Sequence, residues 1–270
     1  MSMSFAWLPC VVLCLAGGQD NKLEIGNVRS TYGHLGALRP VGTGTLPGDT
    51  VHFTFEIKNL KLDDSGKARY SIAIEIRDEQ GKLIYEQKPY NSIAQNFLGG
   101  SSLPCSANVN VPLDAKPGAV DWKVTIVDRA TKQTASIAGK GKVLPADFGI
   151  VDVGLFADAE TRVPNSAIGV VGDSVFMHFS AVGFARDKDK KQPDLRVSMR
   201  ILDEQGKPTM AKPITSKIDS DVPADARWLP MQFGLTLNRA GHFTIELTAE
   251  DRITGKTSRF SYKIRVLPLE

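Results

Sequence analysis

Few residues in this chain are of a type that could carry out a reaction: four histidines (His34, His52, His178 and His242), three cysteines and two acidic loop clusters. A nucleophilic Ser or Cys needs a histidine and an orienting acid brought to it. No histidine here stands in a nucleophile elbow, a glycine-rich loop or another motif that fixes such a pairing. Zinc takes three or four ligands, usually with one closely spaced pair, and neither Cys-x-x-Cys nor His-x-x-x-His occurs. Asp63 with Asp64, and Asp187 with Asp189, supply carboxylates without the ordered oxygen ligands and closing Glu of a calcium loop. The expectation is a non-enzymatic protein with no catalytic residue, no metal and no cofactor. His52 and His178 fall on outward faces of equivalent strands and read as surface histidines.

The first eighteen residues, MSMSFAWLPCVVLCLAGG, carry no charge, and the apolar run Phe5 to Ala16 is too short to cross a bilayer as a helix. Small Ala16 and Gly18 ahead of Gln19 match a signal-peptidase site, so residues 1–18 read as a cleavable signal peptide even without the usual basic n-region. Lipidation at Cys10 or Cys14 is disfavoured, because Pro9 and Leu13 stand where a small residue is required. The expected location is the periplasm, cell surface or extracellular space, with no membrane span after cleavage. Processing leaves Cys105 as the lone cysteine, which excludes an intramolecular disulfide. Cys105 is in phase with Ala107, Val109 and Val111 and reads as a core thiol.

Charge excludes a polyanion-binding surface. The chain holds 33 basic and 30 acidic residues, divided 16 to 14 over residues 19–147 and 17 to 16 over residues 148–270. The densest run, Arg186 to Lys191, mixes signs and reads as a solvated loop rather than a nucleic-acid patch.

An internal repeat organises the 270 residues. Leu46-Pro47-Gly48-Asp49-Thr50-Val51 corresponds to Val170-Val171-Gly172-Asp173-Ser174-Val175. Ile76 to Lys82 corresponds to Ile201 to Lys207, Asp128-Arg129-Ala130-Thr131 to Asp251-Arg252-Ile253-Thr254, and Val143-Leu144-Pro145 to Val266-Leu267-Pro268. The offset stays between 123 and 125 with the order kept, as a duplicated domain requires. Within each copy apolar residues alternate with period two: Val51, Phe53, Phe55 and Ile57; Ile72, Ile74 and Ile76; Val120, Trp122, Val124 and Ile126; then Val197, Met199 and Ile201, and Phe243, Ile245 and Leu247. That period is the mark of strands with one buried face. Turn chemistry at Pro47-Gly48-Asp49, Glu79 to Lys82, Lys116-Pro117-Gly118 and Thr254-Gly255-Lys256 separates the runs. Asn91 to Gly100 reads as a loop or short turn.

About seven strands per copy predict an all-β chain of two tandem immunoglobulin-like antiparallel β-sandwich domains, residues 19–145 and 146–270, joined near Leu144 to Phe148. The recurring Pro/Val-Gly-Asp turn, the Asp-Arg-x-Thr element and the closing Val-Leu-Pro resemble the immunoglobulin-like repeats of exported bacterial proteins, especially those of planctomycete type. The resemblance covers roughly residues 22 to 268 and rests on turn and core residues, so it implies a fold and not an activity. The first copy departs at Lys132, where the second has Gly255, which predicts a differently built final hairpin. The Cys, Trp, Cys arrangement of antibody domains is missing.

What remains is a structural or protein-interaction module whose partner is another envelope or extracellular protein, with a glycan-binding accessory module as the alternative. Phe176, outward between Val175 and Met177, and Trp228, close to Pro230, are the candidate interaction residues. Either aromatic can anchor a partner or pack against the neighbouring domain.

Overall fold

The structure, a computed structural model, describes residues 22–40 and 42–269; the export signal read at residues 1–18 lies outside the described residues. Seven strands build the first domain: β1 (Glu24–Thr31), β2 (Thr50–Lys58), β3 (Lys67–Asp78), β4 (Leu83–Gln95), β5 (Ser102–Asn110), β6 (Gly118–Asp128) and β7 (Thr134–Val143). Eight build the second: β8 (Gly149–Phe156), β9 (Ile168–Val170), β10 (Ser174–Val182), β11 (Leu195–Leu202), β12 (Ile214–Ile218), β13 (Trp228–Thr236), β14 (Gly241–Asp251) and β15 (Lys256–Leu267). No helix occurs among the described residues, and none is long and apolar enough to cross a membrane.

The fold is a pair of immunoglobulin-like sandwiches. In the first, a sheet ordered β1-β2-β5 faces one ordered β4-β3-β6-β7; in the second, β8-β10-β13 faces β12-β11-β14-β15-β9. Among the named strands all pairings are antiparallel except that of the short β9, which runs parallel to β15; Thr45 makes the equivalent isolated parallel bridge to Val143 in the first domain. The alternating residues lie between the sheets. Phe55, Ile57, Ile74, Val124 and Ile126 are buried in the first core, and Met177, Phe179, Met199, Ile245, Leu247 and Tyr262 in the second.

The repeated polar motifs tie turns. Asp78 and Asp203 each accept the backbone N–H groups two and four residues on, at 2.8–3.1 Å, closing equivalent turns. Buried Asp128 and Asp251 take the N–H groups of the following turn on Oδ1 and a distant backbone N–H on Oδ2, that of Lys61 and of Ala185 respectively. The turn expected to differ at Lys132 does not differ. Lys132 has φ of 65° and Gly255 74°, and each N–H returns to the carbonyl of its motif aspartate at 2.8 and 2.7 Å. The aspartate bonds hold the left-handed residue in place whichever side chain it carries. The reading of Asn91 to Gly100 as loop also needs correction, since Asn91 to Gln95 continue β4. Two register shifts against β3 break the alternation that would have marked the strand.

Between Val143 and Gly149 the chain passes directly into the second domain, and the segment after β1 folds back across the junction. Tyr32 meets Phe260 edge to face at 4.6 Å. Tyr262, fully buried, accepts a hydrogen bond from Ala37 N–H at 3.1 Å, and burial pushes its phenol up to about 12. A Cβ on Gly36 would collide with the Tyr32 carbonyl and the Tyr262 hydroxyl, so this bend accepts only glycine. Arg39 and Asp49 form a buried ion pair at 2.8 Å, and Asp49 Oδ1 accepts the Asp152 N–H of the second domain at 2.9 Å.

Candidate functional site

The junction gathers the residues that the sequence scatters. His52 on β2 and His178 on β10 do project from outward faces, but those faces meet at the domain boundary, which corrects their reading as surface histidines. His178 Nε2 lies 4.0 Å from Asp152 Oδ2 and edge-on to Phe156. Burial holds both imidazoles below the ordinary value of 6.5, while the Asp152 carboxylate pulls each the other way. Ser180, on the same face as His178, is fully buried, yet its Oγ has no hydrogen-bond partner among the described residues. Ser180, His178 and Asp152 therefore do not form the bonded relay that activates a serine. Among the described residues, no group of three His, Cys, Asp or Glu side chains stands in position to hold a metal ion.

The loop acids are occupied locally. Asp63 accepts from Ser65 and from Lys67 N–H, and Asp187 from the N–H groups of Asp189 and Lys190. Cys105 is half-buried beside the Tyr70 hydroxyl at 3.7 Å, and burial pushes its thiol up, away from the reactive thiolate. Phe176 and Trp228 share the outer face of the β8-β10-β13 sheet, both half-buried. Phe176 lies against Gly234, and Trp228 with Val182 lies against the Pro47-Gly48 turn of the first domain. Trp228 pairs across from Val182, six residues along β10 from Phe176, or roughly 20 Å at 3.3 Å per residue. The two aromatics are not brought together into one platform.

The prominent exposed feature lies elsewhere. Among the described residues, seven of the fifteen large apolar side chains left exposed fall within residues 83–98: Leu83, Ile84, Tyr85, Tyr90, Ile93, Phe97 and Leu98. Phe97 and Leu98 are almost wholly solvated, at 85% and 101% of full exposure. They extend from β4, the edge strand of the four-stranded sheet, which among the described residues pairs only with β3. An edge strand presents unpaired N–H and C=O groups, and proteins normally keep such edges short or charged. Here β4 runs thirteen residues, whereas the corresponding edge strand of the second domain, β12, runs five.

No family model matches the chain. No curated protein matches it either. Among solved structures the chain is similar to the C-terminal domain of the Streptococcus pyogenes antigen I/II-family protein AspA at 11% identity, covering 91% of this chain and all of that one, with a TM-score of 0.29. It is similar to Bacteroides uniformis β-glucuronidase at 12% identity, 90% coverage and a TM-score of 0.34. Red sea bream transglutaminase follows at 8% identity, 91% coverage and 0.28. The chain spans about a third of the length of these two enzymes, 32% and 31%. Nothing about activity or partner passes from them to this chain.

Reading the sequence by alternation missed β4, although a signal was present. Leu83-Ile84-Tyr85, Tyr90, Ile93 and Phe97-Leu98 are apolar residues with no common phase, between Gly81 and Gly99-Gly100. Apolar residues without a face to bury are candidates for intermolecular contact rather than for loop.

Proposed function

We propose that this chain is an exported, non-catalytic protein-interaction module whose β4 edge receives an extended segment of another exported protein as an added strand. The observation that carries the reading is the long, apolar edge at residues 83–98, unpaired among the described residues. Strand addition draws affinity from main-chain hydrogen bonds and specificity from alternate side chains. A second copy of this chain suits the edge poorly. Residue 89, the midpoint of Leu83–Gln95, is a proline flanked by Lys88. A symmetric antiparallel pairing would centre on a residue with no N–H and set two lysines close together, the devices that block edge-to-edge self-association. A partner strand along Tyr90 to Gln95, next to Phe97 and Leu98, avoids that centre.

The test is site-specific photo-cross-linking in the native envelope, with the probe at Ile93 and, as a control, at Ser216 on β12. The expected result is one discrete adduct from Ile93, identified by mass spectrometry. A synthetic segment of that partner should protect the Tyr90–Gln95 amides from hydrogen exchange and lose binding to the Phe97→Ser/Leu98→Ser variant. Equal adducts from both positions, or no protection of β4, would refute the strand-addition reading.

A further inference from the structure

The Phe97-Leu98 pair sits at the free end of the first sandwich. There β2, β4 and β6 finish and β1, β3, β5 and β7 start, while the chain leaves for the second domain from Val143 at the opposite end. Phe97 and Leu98 belong to the connection from β4 to β5, residues 96–101. Gly99 and Gly100 follow them with φ of 76° and 85°, and a Cβ on either would meet nothing within 4 Å among the described residues. The tip stands clear of the domain body, and its stem is fixed: Asn96 N–H donates to the Gly66 carbonyl at 2.9 Å, and Asn59 N–H to the Ser101 carbonyl at 2.8 Å. The corresponding connection of the second domain, residues 219–227, is built the other way. Its Val222 is buried and donates its N–H to the Gln192 side chain at 2.9 Å, and Asp219, Asp221 and Asp225 make it acidic.

Cations surround the tip. Six stand in the connections at this end or at the strand termini that feed them: Lys22, Lys58, Lys61, Lys67, Arg129 and Lys132. The backbone ties these positions to one another. Asn59 donates its side-chain amide to the Lys22 carbonyl at 2.9 Å, and Lys61 N–H donates to Asp128 at 2.8 Å, where the turn carrying Arg129 and Lys132 begins. Three exposed acids share the end, Glu24, Asp63 and Asp64. Among the described residues none of these cations or acids forms an ion pair. Asp63 accepts instead from the N–H groups of Ser65 and Lys67 in its own turn. The excess of three positive charges at this end equals the formal +3 of the whole chain.

A protein partner buries its anchor residues in well-packed pockets, and a convex apolar tip offers it no socket. A fluid bilayer needs none: it takes Phe and Leu into the boundary between headgroups and acyl chains, and its anionic headgroups attract the Lys and Arg around them. We propose that the free end of the first sandwich docks on an anionic lipid surface, with Phe97 and Leu98 inserted and the six cations over the headgroups. This use is separate from strand addition along Tyr90 to Gln95, because β4 leads away from that surface.

The test is co-sedimentation of residues 19–270, which contain both sandwiches, with vesicles of phosphatidylcholine alone and of an equal mixture with phosphatidylglycerol. Binding to the mixed vesicles should be about ten-fold tighter or more, and should weaken with salt. Lys61→Gln/Lys132→Gln should lose roughly ten- to thirty-fold, at about five-fold for each cation. It should leave binding of the strand-adding segment unchanged, which separates this surface from the β4 edge. Phe97→Ser/Leu98→Ser should lose about a hundred-fold or more, with thermal unfolding unchanged in both variants. The fluorescence of a Phe97→Trp variant should be quenched by phosphatidylglycerol brominated along its acyl chains. Absence of saturable binding, equal affinity for the two vesicle types, no quenching of the Phe97→Trp variant, or binding that survives Phe97→Ser/Leu98→Ser would each overturn the proposal. Binding of the protein segment with vesicles refused would assign the tip to a protein partner and overturn it as well.

Discussion

Asp49→Ala is the substitution to which the junction should respond most sharply. Asp49 Oδ2 pairs with Arg39 Nη2 at 2.8 Å, with both side chains below 10% exposure. Oδ1 accepts the N–H groups of Thr50 at 2.8 Å and Asp152 at 2.9 Å. Arg39 also donates to the Thr50 carbonyl and lies over the Tyr32 ring at 4.5 Å, but its Nε has no partner among the described residues. Removing the carboxylate strands a buried guanidinium, a loss of about 3–5 kcal/mol. The orphaned Asp152 N–H falls within that figure if water enters beside it. Arg39→Met should cost less, by roughly 1–2 kcal/mol, because Asp49 keeps both backbone donors. Among the described residues, Asp173 at the same turn of the second domain has no arginine partner and accepts only Val170 N–H, at 2.8 Å. Its replacement by alanine should cost about 1 kcal/mol. Urea unfolding of the three variants and the Asp49→Ala/Arg39→Met pair gives the coupling energy, and exchange at the Asp152 amide reports whether the junction opens. A loss below about 1 kcal/mol for Asp49→Ala, or one equal to that of Asp173→Ala, would refute the reasoning.

Lys132→Gly should stabilise the first domain by about 0.5–1 kcal/mol by relieving a left-handed lysine, and Gly255→Ala should destabilise the second by about 1 kcal/mol, both read from urea midpoints. Because burial holds His52 and His178 below 6.5, the unfolded chain binds more protons than the folded chain as pH falls past that value. The stability contributed by the neutral imidazoles is complete above 6.5 and is lost on acidification through their folded values; His52→Gln/His178→Gln should flatten the pH dependence of the urea midpoint. Cys105 should react with a thiol reagent slowly in the native protein and rapidly in denaturant, since burial raises its pKa and limits access; equal rates would place the thiol in solvent.

Strands whose residues divide between a core and a solvent face were legible, because burial of one face imposes the period of two that Val51 to Ile57 or Phe243 to Leu247 display. Turns were legible where a motif performs the same hydrogen bonding twice, as at Asp128 and Asp251. Three features were not. Both faces of β4 are largely exposed and bulges shift its phase, so no alternation survives. The junction is lined by His52, His178, Ser180 and Asp49, polar residues indistinguishable in a sequence from a solvated face. The cavity of about 470 Å³ between the sheets of the first domain is a deficit of volume, visible only once Gly139 and Gly141 are set against Tyr262 and Ile264, and that register comes from ladder pairing rather than from the turn motifs.

These departures from a well-packed sandwich all fall in the first domain: the long apolar edge, the left-handed Lys132 and the glycines of β7. Each costs stability relative to its counterpart in the second domain, where β12 is short, the turn residue is Gly255 and Tyr262 fills the core. The chain offsets the deficit at the junction. Tyr32 and Ala37 of the first domain pack against the second domain's hydrophobic core, and the Arg39–Asp49 pair fixes the returning segment. A domain tied in this way can carry an exposed edge and an open interior that it would sustain less readily alone. The duplication therefore has physical content beyond repetition: the second copy serves as the packed support on which the first is free to diverge.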